Sequence, residues 1–249
     1  FILITGTTGS GKTTTINGTL SKLNSAEKNI ITIEDPIERR MDGLNQIQIN
    51  TRAGMTFASG LKSVLRSDPD IIMVGEIRDH ETAKIAVESA LTGHLVLSTL
   101  HTNDSAGAVT RLGEMGVEPY LTVSSLIGVV AQRLMRILCP ICKKPYKTKR
   151  DELIRIIPDF PFDDDEDVIQ LYRSKGCISC NGTGYRGRMG VYEFLRVSEV
   201  IQKLILQRAS TRDIRNTAIS EGMITMRLDG LKKVKTGMTT VEELLRVIV

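Results

Sequence analysis

The sequence contains no tryptophan, and only 4% of its residues are aromatic. Its core must therefore be mainly aliphatic, and the aromatic platforms that stack single-stranded bases are not available. Neither sign of charge dominates: 33 Lys and Arg against 29 Asp and Glu leave a formal net charge of +4. Basic residues gather in one short stretch, Cys142 to Arg150, which falls short of the dense stripe that nucleic-acid binding requires. Long apolar runs are missing too, so no segment is able to cross a bilayer as a helix. Cysteine is scarce: the four fall in two pairs, Cys139/Cys142 and Cys177/Cys180. The chain opens inside an apolar run, Phe1-Ile2-Leu3-Ile4, with neither initiator Met nor signal peptide. This leads to the expectation of a fragment whose N-terminal portion is missing. In that setting the cysteine pairs read as a metal site in a reduced compartment, not as a disulfide framework. What is present is ordinary for a globular chain: 249 residues, 41% hydrophobic and 25% charged. That excludes disordered and collagen-like chains and leaves room for one large domain with a smaller attachment.

The first half alternates short apolar runs with amphipathic stretches. Phe1–Ile4, Ile30–Ile33, Ile71–Val74 and Leu95–Thr99 read as buried parallel strands, covered by helices on both faces. Phe57, Leu61, Val64 and Leu65 share one helical face that ends at Asp68-Pro69. Ala83, Ala86, Val87, Ala90 and Leu91 share another that ends at Gly93. The alternation predicts a doubly wound α/β domain, with 44–49 as an edge strand. From Ser105 to Leu138 the pattern reads as helical, with Tyr120, Val123, Ile127, Val130 and Leu134 on one face. Residues 139–190 are rich in Pro, Gly, Lys and Asp and read as a small insertion held by metal. Residues 191–249 read as helical, with Ser198, Thr211 and Thr240 as N-caps and Thr240 with Glu243 as a capping box. The expected organisation is 1–138 as the core, 139–190 as the insertion and 191–249 as a helical C-terminal part.

Gly6-Thr7-Thr8-Gly9-Ser10-Gly11-Lys12-Thr13 follows the spacing of a phosphate-binding loop, between a predicted strand and a predicted helix. Glycines let backbone N–H groups turn toward phosphate oxygens, and the helix N-terminus adds partial positive charge. Lys12 is expected to reach the β- and γ-phosphates and Thr13 to ligate Mg²⁺, with Thr14 next in line. The apolar run Ile71–Val74 leads to Glu76, where such folds hold metal or water beside the γ-phosphate. The competing reading is a solvated strand-end carboxylate. Ile33-Glu34-Asp35-Pro36-Ile37-Glu38 places three carboxylates after another strand. Glu38 or Glu34 is placed to orient and deprotonate a water, and a solvated loop is the alternative. His94 and His101 bracket a further strand, as γ-phosphate contacts or as satisfied polar groups. His80 reads as a loop residue.

Cys139-Pro140-Ile141-Cys142 and Cys177-Ile178-Ser179-Cys180 are two C-x-x-C knuckles. Together they are able to complete a tetrahedral zinc site with no open position, and so a structural one; a disulfide pair or an unoccupied site is the competing reading. The lysines after the first knuckle, with Arg150, read as a solvated face or as a docking surface for acidic lipid headgroups or an acidic partner. The acidic run Asp163–Asp167 reads as a solvated loop.

The order of phosphate loop, Glu-Asp-Pro-Ile-Glu segment, Gly75-Glu76-Ile77-Arg78-Asp79 and Thr92-Gly93-His94 through Leu100-His101-Thr102 resembles the secretion ATPase superfamily. Ala131-Gln132-Arg133-Leu134 followed by Cys-Pro-x-Cys narrows the resemblance to the GspE/PilB branch, the assembly ATPases of type II secretion and type IV pili. The likeness runs over nearly the whole chain. It implies a RecA-like core carrying ATP and Mg²⁺, with Glu38 as the water-activating carboxylate, Glu76 as the Walker B carboxylate, and His94 and His101 in the active site. It also implies Zn²⁺ at the four cysteines, a feature of assembly ATPases that retraction ATPases lack. The implied assembly is a homo-hexamer at the cytoplasmic face of the bacterial inner membrane. There it works through a platform protein and a cytoplasmic adaptor on pilin-like subunits, with no direct nucleic-acid contact. A competence pilus motor for DNA uptake is the alternative within the branch. The resemblance further implies an N-terminal domain that helps cover the nucleotide, absent from this sequence. Two departures are visible: Gly6-Thr7-Thr8 where Gly-Pro-Thr is frequent, and Asn17 where Tyr is frequent.

Overall fold

In the computed structural model, residues 1–164 and 166–248 are described; Asp165, within the acidic run, lies outside them. Two compact units emerge, 1–131 with 194–223 and 132–193 with 224–249.

The first unit is built on parallel strands. β1 (Ile2–Thr5), β2 (Ile30–Glu34), β4 (Ile71–Val74) and β5 (Leu95–Leu100) are almost wholly buried, which is why they read as continuous apolar runs. β3 (Asn45–Gln48) is the half-polar edge strand expected from its alternation. With β6 (Gly128–Leu138) and β9 (Tyr185–Arg196), the sheet order is β3-β2-β4-β5-β1-β6-β9. β1 pairs in parallel with β5 and β6, and β4 pairs with β2 and β5. Helices α1 (Lys12–Leu23), α2 (Phe57–Val64), α3 (His80–Leu91), α4 (Ser105–Glu114) and α5 (Pro119–Ser125) follow the strands. The aliphatic core gathers Leu3, Ile33, Leu61, Ile72, Val96 and Leu112, with a smaller cluster around Ile16, Leu20 and Leu97. No helix among the described residues is long and apolar enough to cross a membrane.

The continuous helix expected up to Leu138 is not there. Gly116, with φ of 83°, and Pro119 at the start of α5 divide its first part. Its second part is β6, whose Gly128 to Ala131 pair with Ile2 to Thr5 of β1. Tyr120 and Ile127, expected on one apolar helical face, are 60% and 57% exposed. A short apolar run without turn residues fits both periods, and the partner strand decided between them.

The second unit holds residues 139–190, and these are not loop alone. β7 (Lys144–Lys149) and β8 (Val168–Arg173) form an antiparallel pair, with α6 (Arg150–Ile156) between them in sequence. They share a core with α9 (Met226–Lys235) and α10 (Val241–Val247), through Leu153, Ile169, Leu171, Leu231 and Leu244. β9 carries the chain to Arg196, so helix resumes only at α7 (Glu199–Leu206) and α8 (Thr211–Ser220). Ser198 caps α7 as expected, but Ser210, not Thr211, caps α8. Thr240 accepts the Glu243 N–H. The return bond of a capping box is not made, because both Glu243 oxygens are taken by arginines: Arg136 at 2.7 Å and Arg246 at 2.6 Å. The acidic run is not simply solvated either, since Lys235 pairs with Asp163 at 2.9 Å and Glu166 at 3.0 Å. Lys143 donates to Gly237 O and lies over the Tyr172 ring.

Candidate active site and metal centre

The carboxyl ends of β2, β4, β5 and β1 meet at one edge of the sheet, where α/β proteins bind ligands. β5 lies between β4 and β1, so the residues after it stand between the phosphate loop and Glu76.

The loop leaves β1 at Gly6 and enters α1 at Lys12. Gly9 (φ 77°) and Gly11 (φ 91°) occupy the left-handed region that only glycine adopts without strain. A Cβ at Gly9 would meet nothing within 4 Å, so that conformation, not space, demands the glycine. Gly11 gives α1 no side-chain cap. No cap side chain therefore stands between this helix N-terminus and a ligand, and a helix N-terminus receives phosphate oxygens. Lys12 Nζ reaches back to Gly6 O at 2.8 Å and Thr7 O at 3.3 Å, which holds the ammonium across the loop.

Threonine and serine hydroxyls bind the strand ends together. Thr99 Oγ1 donates to Gly75 O and Ser98 Oγ to Val74 O, both at 2.7 Å. Thr5, the buried residue before the loop, accepts the Thr102 N–H at 2.9 Å. These residue types were not singled out in the sequence, where a Thr after an apolar run carries no signal.

Glu76 follows β4 and is largely covered, its side chain 16% exposed. Burial pushes its pKa up, but the bond and charge of Arg78 and the nearby His101 outweigh this and hold it below the usual carboxylate range. His101 Nε2 lies 3.3 Å from Glu76 Oε2. Arg78 was not assigned a role from sequence, and its ion pair with Glu76 places it in the site.

The two glutamates after β2 separate clearly. Glu34 is buried, and its Oε1 accepts from Thr32 Oγ1 at 2.6 Å and Gln46 Nε2 at 3.0 Å. Glu38 is exposed and lines a cleft of about 570 Å³ together with Thr13, Thr14, Asn17, Arg39 and Arg40. Glu38 thus shares its cleft with the expected Mg²⁺ ligand and Glu34 does not.

His94 is not brought to this edge. It precedes β5, at the amino ends of the strands, and its Nδ1 lies 2.9 Å from Ser89 O and 3.1 Å from Thr92 Oγ1. Six strand residues separate it from the carboxyl edge, roughly 20 Å at the usual rise. The placement of His94 in the active site is corrected accordingly. His80 opens α3 and contacts Met115 O.

In the second unit the four cysteines converge. All four Sγ atoms lie within 4.8 Å of one another. The sulfurs are 3.9 Å apart for Cys139/Cys177, 3.8 Å for Cys142/Cys180 and 3.7 Å for Cys177/Cys180. Zn–S bonds of about 2.3 Å in a tetrahedron require sulfurs about 3.8 Å apart. The donor set therefore fits a four-thiolate zinc. Burial raises the Cys180 thiol, but N–H groups of Cys177 and Gly184 and the neighbouring thiols bring it down to about 6. Burial and the other three cysteines push Cys142 up to about 11.

The sequence profile described as "Type II/IV secretion system protein" matches residues 1–246. Among curated relatives, the chain is 53% identical over 250 residues to "Type II secretion system ATPase E" of Vibrio cholerae, covering 99% of this chain and 48% of that protein. It is 50% identical over 242 residues to "Type IV pilus assembly ATPase PilB" of Myxococcus xanthus, covering 97% and 42%. The chain thus spans about half the length of the curated relatives it matches. Among solved structures, the pilus retraction motor PilT with bound ADP matches with TM-score 0.68 and 28% identity, covering 98% of this chain and 60% of that one. With its phosphate loop, paired strand ends and cysteine cluster in the order described, the chain belongs to the type II/IV secretion system protein family.

Proposed function

We propose that this chain is the ATP-hydrolysing part of an assembly motor for type II secretion or type IV pilus biogenesis, driving extrusion or assembly of pilin-like subunits. The observation that carries the reading is the cleft along α1 that Thr13, the last residue of the phosphate-loop motif, shares with Glu38. Backbone N–H groups of the loop and of the first turn of α1 cradle the phosphates, and Lys12 neutralises charge on the β- and γ-phosphates. Thr13 would hold Mg²⁺, which when bound draws charge from the phosphate oxygens. Glu38 orients water toward the γ-phosphate and takes its proton. Glu76, fixed by Arg78 and His101, keeps the carboxylate form needed beside the metal. Cys139, Cys142, Cys177 and Cys180 would hold a structural Zn²⁺. The working assembly in this reading is a homo-hexamer at the cytoplasmic face of the inner membrane, acting through a platform protein and an adaptor.

The test is ATP turnover and nucleotide affinity of the purified protein. Lys12→Ala removes a charge-stabilising contact worth roughly 3 kcal/mol of barrier, so turnover should fall about a hundredfold. Glu38→Gln should keep nucleotide affinity and lose turnover, because an amide accepts no proton. Wild-type turnover in Lys12→Ala would refute the phosphate-loop assignment.

A further inference from the structure

The sequence Asn45-Gln46-Ile47-Gln48 marks β3 only as a weak edge strand. Its two glutamines are two residues apart and so share one face of the strand. In parallel register with β2, Gln46 stands opposite Thr32 and Gln48 opposite Glu34. Both side-chain amides turn to the segment that follows β2. Gln46 Oε1 accepts the Met41 N–H at 2.8 Å, and its Nε2 donates to Arg39 O at 2.9 Å and to Glu34 Oε1 at 3.0 Å. These partners fix which end of the amide is which: only oxygen receives an N–H, and only nitrogen reaches a carbonyl and a carboxylate. Gln48 Oε1 accepts the Ile37 N–H at 3.4 Å. The backbone is therefore held at Ile37 on one side of Glu38 and at Arg39 and Met41 on the other. Glu34, buried and pinned by Thr32, is the base of the clamp.

We propose that Gln46, anchored on Glu34 and assisted by Gln48, is a positioning residue that holds the 37–41 segment so that Glu38 faces the phosphate loop. This rests on the reading of Glu38 as the water-activating carboxylate. Glu38 is exposed, so its aim depends on the backbone that carries it. Misplacement of a catalytic group by about 1 Å costs on the order of a hundredfold in rate. Glu34 takes no part in proton transfer; its carboxylate is spent on the clamp.

The experiment measures steady-state ATP hydrolysis, nucleotide affinity and thermal unfolding of wild type, Gln46→Met, Glu38→Gln and the double variant, each in the full-length protein. Met has nearly the length of Gln and makes none of the three bonds. Gln46→Met should lower kcat about ten- to a hundredfold, with nucleotide affinity close to wild type and the unfolding temperature lowered by a few degrees, since Glu34 loses a partner. In the Glu38→Gln background, Gln46→Met should have no further effect, because the two act on one step. Equal losses in both backgrounds would mean that Gln46 does not act through Glu38 and would overturn the proposal, as would unchanged kcat in Gln46→Met. Full turnover in Glu38→Gln would instead refute the assignment of Glu38 itself. Should Gln46→Met unfold, Gln48→Met, on an exposed edge position, should lower kcat several-fold by the same route; an unchanged rate there would likewise overturn the proposal.

Discussion

Thr5 Oγ1 and Thr102 Oγ1 lie 2.7 Å apart, joining the residue before the phosphate loop to the residue after His101. Thr5 also reaches Leu100 O at 3.1 Å and Thr102 O at 3.2 Å, and Thr102 reaches Asp104 O at 3.0 Å. β5 adjoins both β1 and β4, so one buried hydroxyl ties the strand that enters the loop to the segment that carries His101.

Thr5→Val removes that hydroxyl and leaves the Thr102 N–H without its acceptor. The cost in stability should be about 1–3 kcal/mol, read as a lower denaturant midpoint. Turnover should fall while Thr5→Ser retains most of both quantities. Full turnover in Thr5→Val would show that loop and His101 are not linked this way.

The two histidines should separate in function. His101→Ala removes a contact with Glu76 and should lower turnover about tenfold or more, within the range of a positioned polar group. His94→Ala, at the opposite edge, should leave turnover within a few-fold. A large loss in His94→Ala together with little change in His101→Ala would reverse the assignment.

In the second unit the Glu243 side chain is fully buried between Arg136 and Arg246. Burial raises its pKa, but Arg246 and Arg136 dominate and bring it from 4.5 to about 2. A depressed carboxylate pKa stabilises the fold above the unfolded value and loses that contribution as pH falls. The stabilisation should therefore be complete above about pH 5 and fade toward about pH 2. A shift of this size corresponds to roughly 3 kcal/mol, which water around the half-exposed guanidiniums reduces to about 2. Glu243→Gln should unfold more easily at pH 7 and show a flatter stability profile between those limits. Chemical denaturation across that pH range tests it; parallel profiles for variant and wild type would refute the assignment.

The cysteine cluster predicts one Zn²⁺ per chain in freshly purified, reduced protein. Cys177→Ser should release the metal and raise proteolytic sensitivity within 139–190. Nucleotide affinity should persist, because the phosphate loop draws no ligand from the cysteines. Metal analysis and nucleotide binding of this variant read the two outcomes separately, and metal well below one equivalent would argue against the site.

Local chemistry made much of the site legible in advance. Gly9, Gly11, Lys12 and Thr13 announce themselves because the loop's backbone conformation and charge demand those residue types at that spacing. The paired cysteines do the same, since two thiols three residues apart on a turn form half of a tetrahedron. The four buried strands of the first unit were equally clear, because covering on both faces leaves an unbroken apolar run. β6 was not, because its apolar run fits helix and strand alike and only Ile2 to Thr5 supply the partner.

The linear order of residues thus determined which groups are available for chemistry: a phosphate loop, strand-end carboxylates, two histidines and four thiols. Tertiary structure decided which of them meet. Parallel pairing fixed the direction of β5, which carries His101 to the carboxyl edge and leaves His94 at the other. Burial between β2 and β3 consumed Glu34 in hydrogen bonds and left Glu38 facing the cleft. Spacing along a chain records neither strand direction nor the partners that a side chain gains across a sheet, and both choices rest on those two quantities.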